Sequence, residues 1–318
     1  MQGEYEMLDS QQRNADLPGC ELRPCRANSG LIVTGRPGQQ LRDLDPRSVI
    51  AKLATSGYLI FRGFPADLSV FSEFVKSYSS RVTLDPARKF HGGNVAQKVD
   101  AGVDAMGLHL ENGNSPFRPD LTWFFCERAA TRGSQTTVCD GYEVWEKASE
   151  SARKQFLDQA IIYERRVEEQ KWKLFVYHNR EGKIPMEEIG IEHLNALVDE
   201  QGTTTIDVKP DKSILYSFRT PAVLRSRFGS GLAWANSIFG PSYNYEAPRI
   251  FFADGRDISA GLLEEMRKLT DELTVNIDWQ DGDIALIDNT RVMHGRRAIE
   301  DTGRKIYNAL SYLNPALV

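Results

Sequence analysis

Two short stretches of this chain carry side chains able to hold a metal ion. In Gly107-Leu108-His109-Leu110-Glu111-Asn112 an imidazole and a carboxylate stand two residues apart. If the segment is extended, residues two apart project to one face, so His109 and Glu111 reach a common point while Leu108 and Leu110 face the core. The second stretch, Asp288-Asn289-Thr290-Arg291-Val292-Met293-His294-Gly295-Arg296, follows the strand-like run Asp283-Ile284-Ala285-Leu286-Ile287 and offers His294 beyond its end. Two neutral imidazoles and one carboxylate filling one face of an octahedron leave adjacent positions open and balance part of the charge of a ferrous ion. His109, Glu111 and His294 are therefore the expected ligands. Each also has a plainer reading: a His two residues from a Glu is often a solvated surface pair, and a lone His is often a hydrogen-bonded core residue. The same donors suit catalytic zinc and hydrolysis, although the helical H-E-x-x-H arrangement is absent. A jelly-roll binding module without catalysis is a third reading.

The elements that must position these residues are legible in part. A short helix is expected across Asp45 to Thr55, then a buried strand at Tyr58-Leu59-Ile60-Phe61 closed by Gly63 and Pro65. Asp67 is placed to cap a helix whose Leu68, Phe71, Phe74, Val75 and Tyr78 recur at three- and four-residue steps. Leu121 to Cys126 and Thr136 to Cys139 read as short strands. Helical patterns follow at about 141–158 and 186–201, with strand-like runs at about 160–166, 204–209 and 213–218. A last helix at about 259–273 precedes two closing strands, Asp283 to Asp288 and Lys305 to Leu313. Many short strands, with helices gathered at the start and in one insertion, predict a mostly β fold with a double-stranded β-helix (jelly roll) core, N-terminal helices and a mixed insertion between the metal-ligand motifs.

Composition sets the limits. A chain of 318 residues with 41% hydrophobic content can bury one large core, so residues 29–318 are expected to form a single domain. The net charge of -5 comes from interspersed acids and bases with no long basic run, which argues against a nucleic-acid partner. The first thirty residues are too polar for a secretory segment or a membrane span, and no later stretch is apolar enough. Residues 1–28 read as a flexible N-terminal arm. Four cysteines are too sparse for a disulfide framework, and Cys20 and Cys25 lack a second pair at metal-binding spacing. A cytoplasmic location is the expectation.

Four segments resemble the TauD/TfdA-type family of Fe(II)/2-oxoglutarate-dependent oxygenases. Ser56-Gly57-Tyr58-Leu59-Ile60-Phe61-Arg62-Gly63-Phe64 is similar to the family's amino-terminal strand. His109-Leu110-Glu111, followed by Ser115-Pro116-Phe117-Arg118-Pro119-Asp120, resembles the H-x-E pair of the clavaminate synthase-like branch. Gly133-Ser134-Gln135-Thr136 resembles the third segment, and Asp281-Gly282-Asp283 through His294-Gly295-Arg296 the fourth. The resemblance implies oxidative decarboxylation of 2-oxoglutarate by O2 on Fe(II), coupled to hydroxylation of a C–H bond in a small-molecule substrate.

It further implies that the distal carboxylate of 2-oxoglutarate meets Arg304, ten residues beyond His294, and the Thr136 hydroxyl, with Thr137 as an alternative. A buried carboxylate requires a paired cation and directed hydrogen bonds, and a guanidinium supplies a bidentate fork. Exposed or supporting roles are expected for Arg296 and Arg297. Asn308, four residues past Arg304, occupies a position where several family members that take acidic substrates carry arginine, which points to a neutral substrate group there. Asn112 and Asn114 are further substrate or turn candidates. Because related halogenases replace the carboxylate ligand by a small residue, Glu111 favours hydroxylation. A modified amino acid or peptide-derived metabolite is the expected substrate, and residues 165–250 are expected to form an insertion that closes as a lid, with aromatics suited to an uncharged ligand.

Overall fold

The computed structural model describes residues 17–27, 29–83, 90–91, 93, 95–99, 102–180, 182–199, 202–241 and 246–318. In chain order the strands are β1 (Cys20–Pro24), β2 (Leu31–Gly35), β3 (Tyr58–Arg62), β4 (Ser79–Thr83), β5 (Phe90–His91), β6 (Ala96–Lys98), β7 (Met106–His109), β8 (Leu121–Arg128) and β9 (Thr136–Asp140). An insertion then contributes β10 (Ile161–Val167), β11 (Thr204–Val208), β12 (Ile214–Thr220), β13 (Val223–Arg225), β14 (Leu232–Trp234) and β15 (Arg249–Phe252). The chain closes through β16 (Val275–Ile277), β17 (Ile284–Asp288), β18 (Val292–Arg296) and β19 (Lys305–Leu313). The helices are α1 (Pro46–Ser56), α2 (Leu68–Tyr78), α3 (Gly141–Lys147), α4 (Glu150–Asp158), α5 (Glu169–Asn179), α6 (Ile191–Asp199) and α7 (Ala260–Leu273).

Two sheets make the double-stranded β-helix. The major one runs β1-β2-β3-β17-β8-β19-β6-β5, with β4 also on β19, and the minor one runs β16-β9-β18-β7. Strand alternation sorts the major sheet's side chains into two layers. Leu121, Trp123 and Phe125 of β8 and Ile284 and Leu286 of β17 face outward onto α1 and α2, in a core with Val49, Leu53, Phe71 and Val75. Phe124 and Cys126, Ala285 and Ile287, and Tyr58 and Ile60 face inward, where they meet Val138, Ile277 and Val292 of the minor sheet. Asp67 caps α2 as expected, accepting from the Val70 amide at 2.8 Å, and Asp45, expected as the first residue of its helix, instead caps α1 by accepting from the Ser48 amide at 2.9 Å.

The insertion forms its own four-stranded sheet, β11-β12-β10-β15. It packs with α3, α4 and α7 on the outer side of the minor sheet, in a core that includes Leu108, Leu110, Cys139 and Met293. Trp172, Tyr163 and Trp234 are buried in this core, and Phe175, Tyr177 and Phe239 pack against it.

Several expectations change in detail. The arm was expected to reach residue 28, but Cys20–Pro24 is already a strand paired with β2, and Leu17 is buried in the outer core; the remainder of the arm, residues 1–16, lies outside the described residues. The polar side chains of β1 hid this, because an edge strand with one partner carries no apolar run. The helix at 141–158 is two helices, with Ser149 capping the second by accepting from the Ala152 amide. Helix α5 lacked a readable period because its apolar residues, Trp172, Leu174, Phe175, Val176 and Tyr177, are bunched together rather than spaced at three- and four-residue steps. Residues 292–296, for which no strand was expected, form β18 in the interior of the minor sheet, between β9 and β7.

Candidate metal centre

His109 and His294 are direct partners across the β7–β18 pair, and their ring centroids lie 4.5 Å apart. Strand β7 ends at His109, so Glu111 stands on the following turn rather than on an extended strand. Asn112, at φ +52°, and the Gly113 N–H bonded to the Leu110 carbonyl make that turn. The Glu111 carboxylate nevertheless reaches the imidazoles: one donor atom from each of His109, Glu111 and His294 lies within 4.8 Å of the others. Leu108 and Leu110 are buried on the opposite side, as alternation requires.

The turn is held by a residue to which the sequence reading assigned no role. The Asn289 side chain accepts from the Glu111 N–H at 2.9 Å and donates to the Glu111 carbonyl at 3.1 Å and to the Pro119 carbonyl at 2.9 Å. Its own N–H donates to the Asp120 carbonyl. The only available signal was its place directly after a buried strand, beside Asp288. A second brace comes from the insertion, where Ser237 Oγ accepts from the Leu110 N–H at 3.2 Å and donates to the Leu110 carbonyl at 3.0 Å. The same segment approaches the metal strand so closely that a Cβ on Gly240 would sit 3.0 Å from His109 Cβ, and one on Gly107 would fall 2.0 Å from the Phe239 carbonyl oxygen. The contact at Gly107 requires glycine, and the one at Gly240 is tight.

The imidazoles fit a metal better than a satisfied core. His109 Nδ1 is 2.9 Å from the Gly107 carbonyl, so a proton held there makes Nε2 the nitrogen that carries the lone pair a metal ion needs. His294 is 3% exposed; its Nε2 lies 3.3 Å from Glu111 Oε1 and its Nδ1 has no hydrogen-bond partner among the described residues. A buried imidazole so poorly provided for is unusual in a structural role. Among the described residues no thiol joins this group, and burial pushes the Cys126 and Cys139 thiols up to about 12.

Register separates the two candidate threonines. Thr136 pairs with Arg296 and Val138 with His294, so Thr136 shares the inward face of His294. Thr137 pairs with Gly295 and faces the other way, its Oγ1 2.9 Å from where a Gly295 Cβ would be. Thr136 Oγ1 accepts from Trp279 Nε1 at 3.0 Å, and the Trp279 ring in turn meets Phe124, which stands edge-on to His294 at 5.3 Å.

Arg304 is 6% exposed and donates to the Val99 carbonyl at 3.2 Å. Arg296 is also buried and ties down the preceding loop through the Gly102 and Asp104 carbonyls, whereas Arg297 is exposed and bonds Asn276. Asn308 is buried on β19, opposite Phe124. Asn112 is exposed and gives its amide to the Phe117 carbonyl, and the Asn114 carbonyl accepts from the Tyr216 hydroxyl, so both take part in holding the loop. Among the described residues, no helix is long and apolar enough to cross a membrane.

Comparison with known proteins agrees with this arrangement. Residues 21–310 match the family model described as taurine catabolism dioxygenase TauD, TfdA family. A clavaminate synthase-like protein of Arabidopsis thaliana is 24% identical over 79% of this chain and 81% of its own length. Among solved structures, PvcB from Pseudomonas aeruginosa superposes with a TM-score of 0.60 at 14% identity, covering 96% of this chain and 93% of that one. A taurine dioxygenase from Burkholderia xenovorans does so with 0.61 at 16% identity, covering 93% and 92%.

Proposed function

The chain belongs to the TauD, TfdA family of dioxygenases, and on that premise we propose that it is an Fe(II)- and 2-oxoglutarate-dependent hydroxylase of a small molecule. The observation that carries the reading is the convergence of His109, Glu111 and His294 from two elements onto one point between the sheets. Another structure of PvcB is of an Fe, alpha-ketoglutarate dependent oxygenase from an isonitrile synthetic pathway, which is consistent with iron here.

His109, Glu111 and His294 hold Fe(II), and Arg304 with Thr136 receives the distal carboxylate of 2-oxoglutarate. When bound, the iron supplies O2 activation coupled to decarboxylation of the keto acid. The protein's own part is placement. Asn289 and Ser237 fix the Glu111 turn and β7, Gly107 O holds the His109 proton on Nδ1, and Trp279 orients the Thr136 hydroxyl. The inward apolar layer around Phe124 keeps water from the reacting carbon.

The substrate is a modified amino acid or peptide-derived specialised metabolite, handled in the cytoplasm, and the 165–250 insertion acts as the lid over it. A zinc hydrolase using the same three ligands leaves Arg304 and Thr136 without a task, and a non-catalytic jelly-roll binder leaves all five without one.

The test is an anaerobic titration with Fe(II) and 2-oxoglutarate, followed by the weak visible metal-to-ligand charge-transfer band. Wild type gives the band, His109→Ala abolishes it, and Arg304→Ala needs far more 2-oxoglutarate. A folded, iron-loaded protein without the band returns the zinc and binding-module readings.

A further inference from the structure

Arg118 is a cation to which the metal centre gives no task. It is part-buried, deep enough that desolvation pulls its guanidinium below the ordinary arginine value, and within electrostatic reach of Asp288, Asp120, Tyr163 and Tyr312. Among the described residues it makes no hydrogen bond, ion pair or ring contact. Each neighbour on its protein side is already engaged. Asp120 accepts from Arg227 Nη1 at 3.0 Å and from the Leu313 N–H at 2.9 Å. Asp288 accepts from the Thr290 N–H and hydroxyl at 2.8 and 2.5 Å and from the Ser226 hydroxyl at 2.6 Å. The Tyr163 hydroxyl oxygen accepts from the Ser237 N–H at 2.9 Å. A guanidinium so deep without a partner is costly to the ligand-free fold. Its nitrogens are not among the polar atoms sealed inside the protein, so a ligand can reach them.

The loop that carries Glu111 also carries Arg118. Asn289 Nδ2 donates to the Glu111 carbonyl at 3.1 Å and to the Pro119 carbonyl at 2.9 Å, so the two oxygens are at most about 6 Å apart and Arg118 stands next to the metal-ligand turn. On its other side the loop meets the insertion, where Phe117 packs on Phe175 at 4.9 Å and the Asn114 carbonyl accepts from the Tyr216 hydroxyl at 3.1 Å. Arg118 is therefore at the rim between the insertion and the end of the major sheet. From Asp120 the inward face of that sheet runs through Thr122 to Phe124, about 13 Å along the strand, and Phe124 is edge-on to His294.

This is a second anion site, separate from Arg304. Arg304 precedes β19 at one end and Tyr312 lies eight residues further on, roughly 25 Å at strand spacing, so a co-substrate held by Arg304 does not reach Arg118. The surrounding charge favours an anion: the guanidiniums of Arg118, Arg227 and Arg81, the last 4.4 Å over the Tyr312 ring, face only the carboxylates of Asp120 and Asp288. A single unpaired guanidinium fork matches a carboxylate through two parallel N–H···O bonds.

We propose that Arg118 binds a carboxylate of the substrate at this rim, with the neutral remainder of the molecule lying along the Thr122–Phe124 wall toward His294. This deepens the oxygenase reading, on which it rests, by naming the substrate class: a monocarboxylate whose charge is remote from the oxidised carbon.

The test uses N-acetyl-leucine, N-acetyl-methionine and N-acetyl-phenylalanine as probes, each against its primary amide and against inorganic phosphate, by calorimetry on the full chain with Fe(II) and 2-oxoglutarate under argon. At least one acid is expected to bind wild type at least about tenfold more tightly than its amide and than phosphate. Arg118→Met, which keeps the apolar stem, is expected to lose at least about tenfold in affinity for that acid, with a ligand-free melting temperature no lower than that of wild type. Arg118→Lys, with the charge but without the fork, should fall between the two.

No heat from any of the acids up to about 10 mM, an amide or phosphate bound as tightly as the acid, or a lower melting temperature for Arg118→Met each overturns the proposal. A charge-transfer band without acid preference sinks this subsite alone. Acid preference that depends on Arg118, without the band, keeps the subsite and sinks the oxygenase reading.

Discussion

Replacing Asn289 by alanine separates the positioning of Glu111 from its ligand chemistry. The buried side chain makes three hydrogen bonds, two part-buried ones to the Glu111 backbone and one buried one to the Pro119 carbonyl, at 2.9 to 3.1 Å. A net contribution of about 1 kcal/mol each puts the loss near 3 kcal/mol if water enters the vacated volume, and higher if the three backbone groups are left dry. The second effect falls on the metal. Groups that orient a ligand without touching the ion change affinity by about 10- to 100-fold, which corresponds to about 1.4–2.8 kcal/mol. Urea unfolding of the metal-free protein measures the first quantity, and Fe(II) titration with saturating 2-oxoglutarate measures the second. Asn289→Asp, which keeps an acceptor for the Glu111 N–H but turns an oxygen toward two carbonyls, should do no better than alanine. Iron affinity within about twofold of wild type would refute the reasoning even if stability fell, because the clamp would then be structural only.

Further expectations follow from the same geometry. Removing the metal with a chelator should lower the melting temperature of wild type and leave that of His109→Ala unchanged, since an ion held only by the folded chain adds to its stability; differential scanning calorimetry reads both. Thr136→Val should raise the 2-oxoglutarate requirement by about tenfold or more, the loss of one hydrogen bond to a charged group, whereas Thr137→Val, which faces away, should not; the charge-transfer band titrates each. Arg291→Met strands the buried Asp140 carboxylate, whose two oxygens accept from Arg291 at 2.6 and 2.9 Å, and should cost about 3–5 kcal/mol in urea unfolding. Asp45→Ala should cost about 1 kcal/mol. The Ser48 hydroxyl donating to Asp45 holds its carboxyl below the usual range, so the difference between Asp45→Ala and wild type should be present at neutral pH and vanish as pH falls through that lowered value.

What the sequence determined by itself is local. Alternation around His109 separates ligands from core because the strand period is two, and Asp45, Asp67 and Ser259 cap helices because a short side-chain acceptor answers exposed N–H groups within three residues. The three metal donors were legible because their types and spacing are chemically restrictive. Tertiary structure decided whatever depends on partners far along the chain. Thr136 and Thr137 are equivalent as sequence, and the β9–β18 register alone turns one toward His294 and the other away. The strand stops at His109, and Glu111 returns to the site through Asn289, 178 residues on, a coupling no local pattern encodes. The β1 edge strand and Leu17 were missed because polar side chains conceal a ladder whose partner lies on another strand. Of the insertion's aromatics, Trp172 and Trp234 are buried in the core on the outer side of the minor sheet, whereas Phe175, Tyr177 and Phe239 are only partly buried against it, a division composition does not show. Asn308 looked like one neutral substitution at an arginine position. The fold buries it on β19, opposite Phe124.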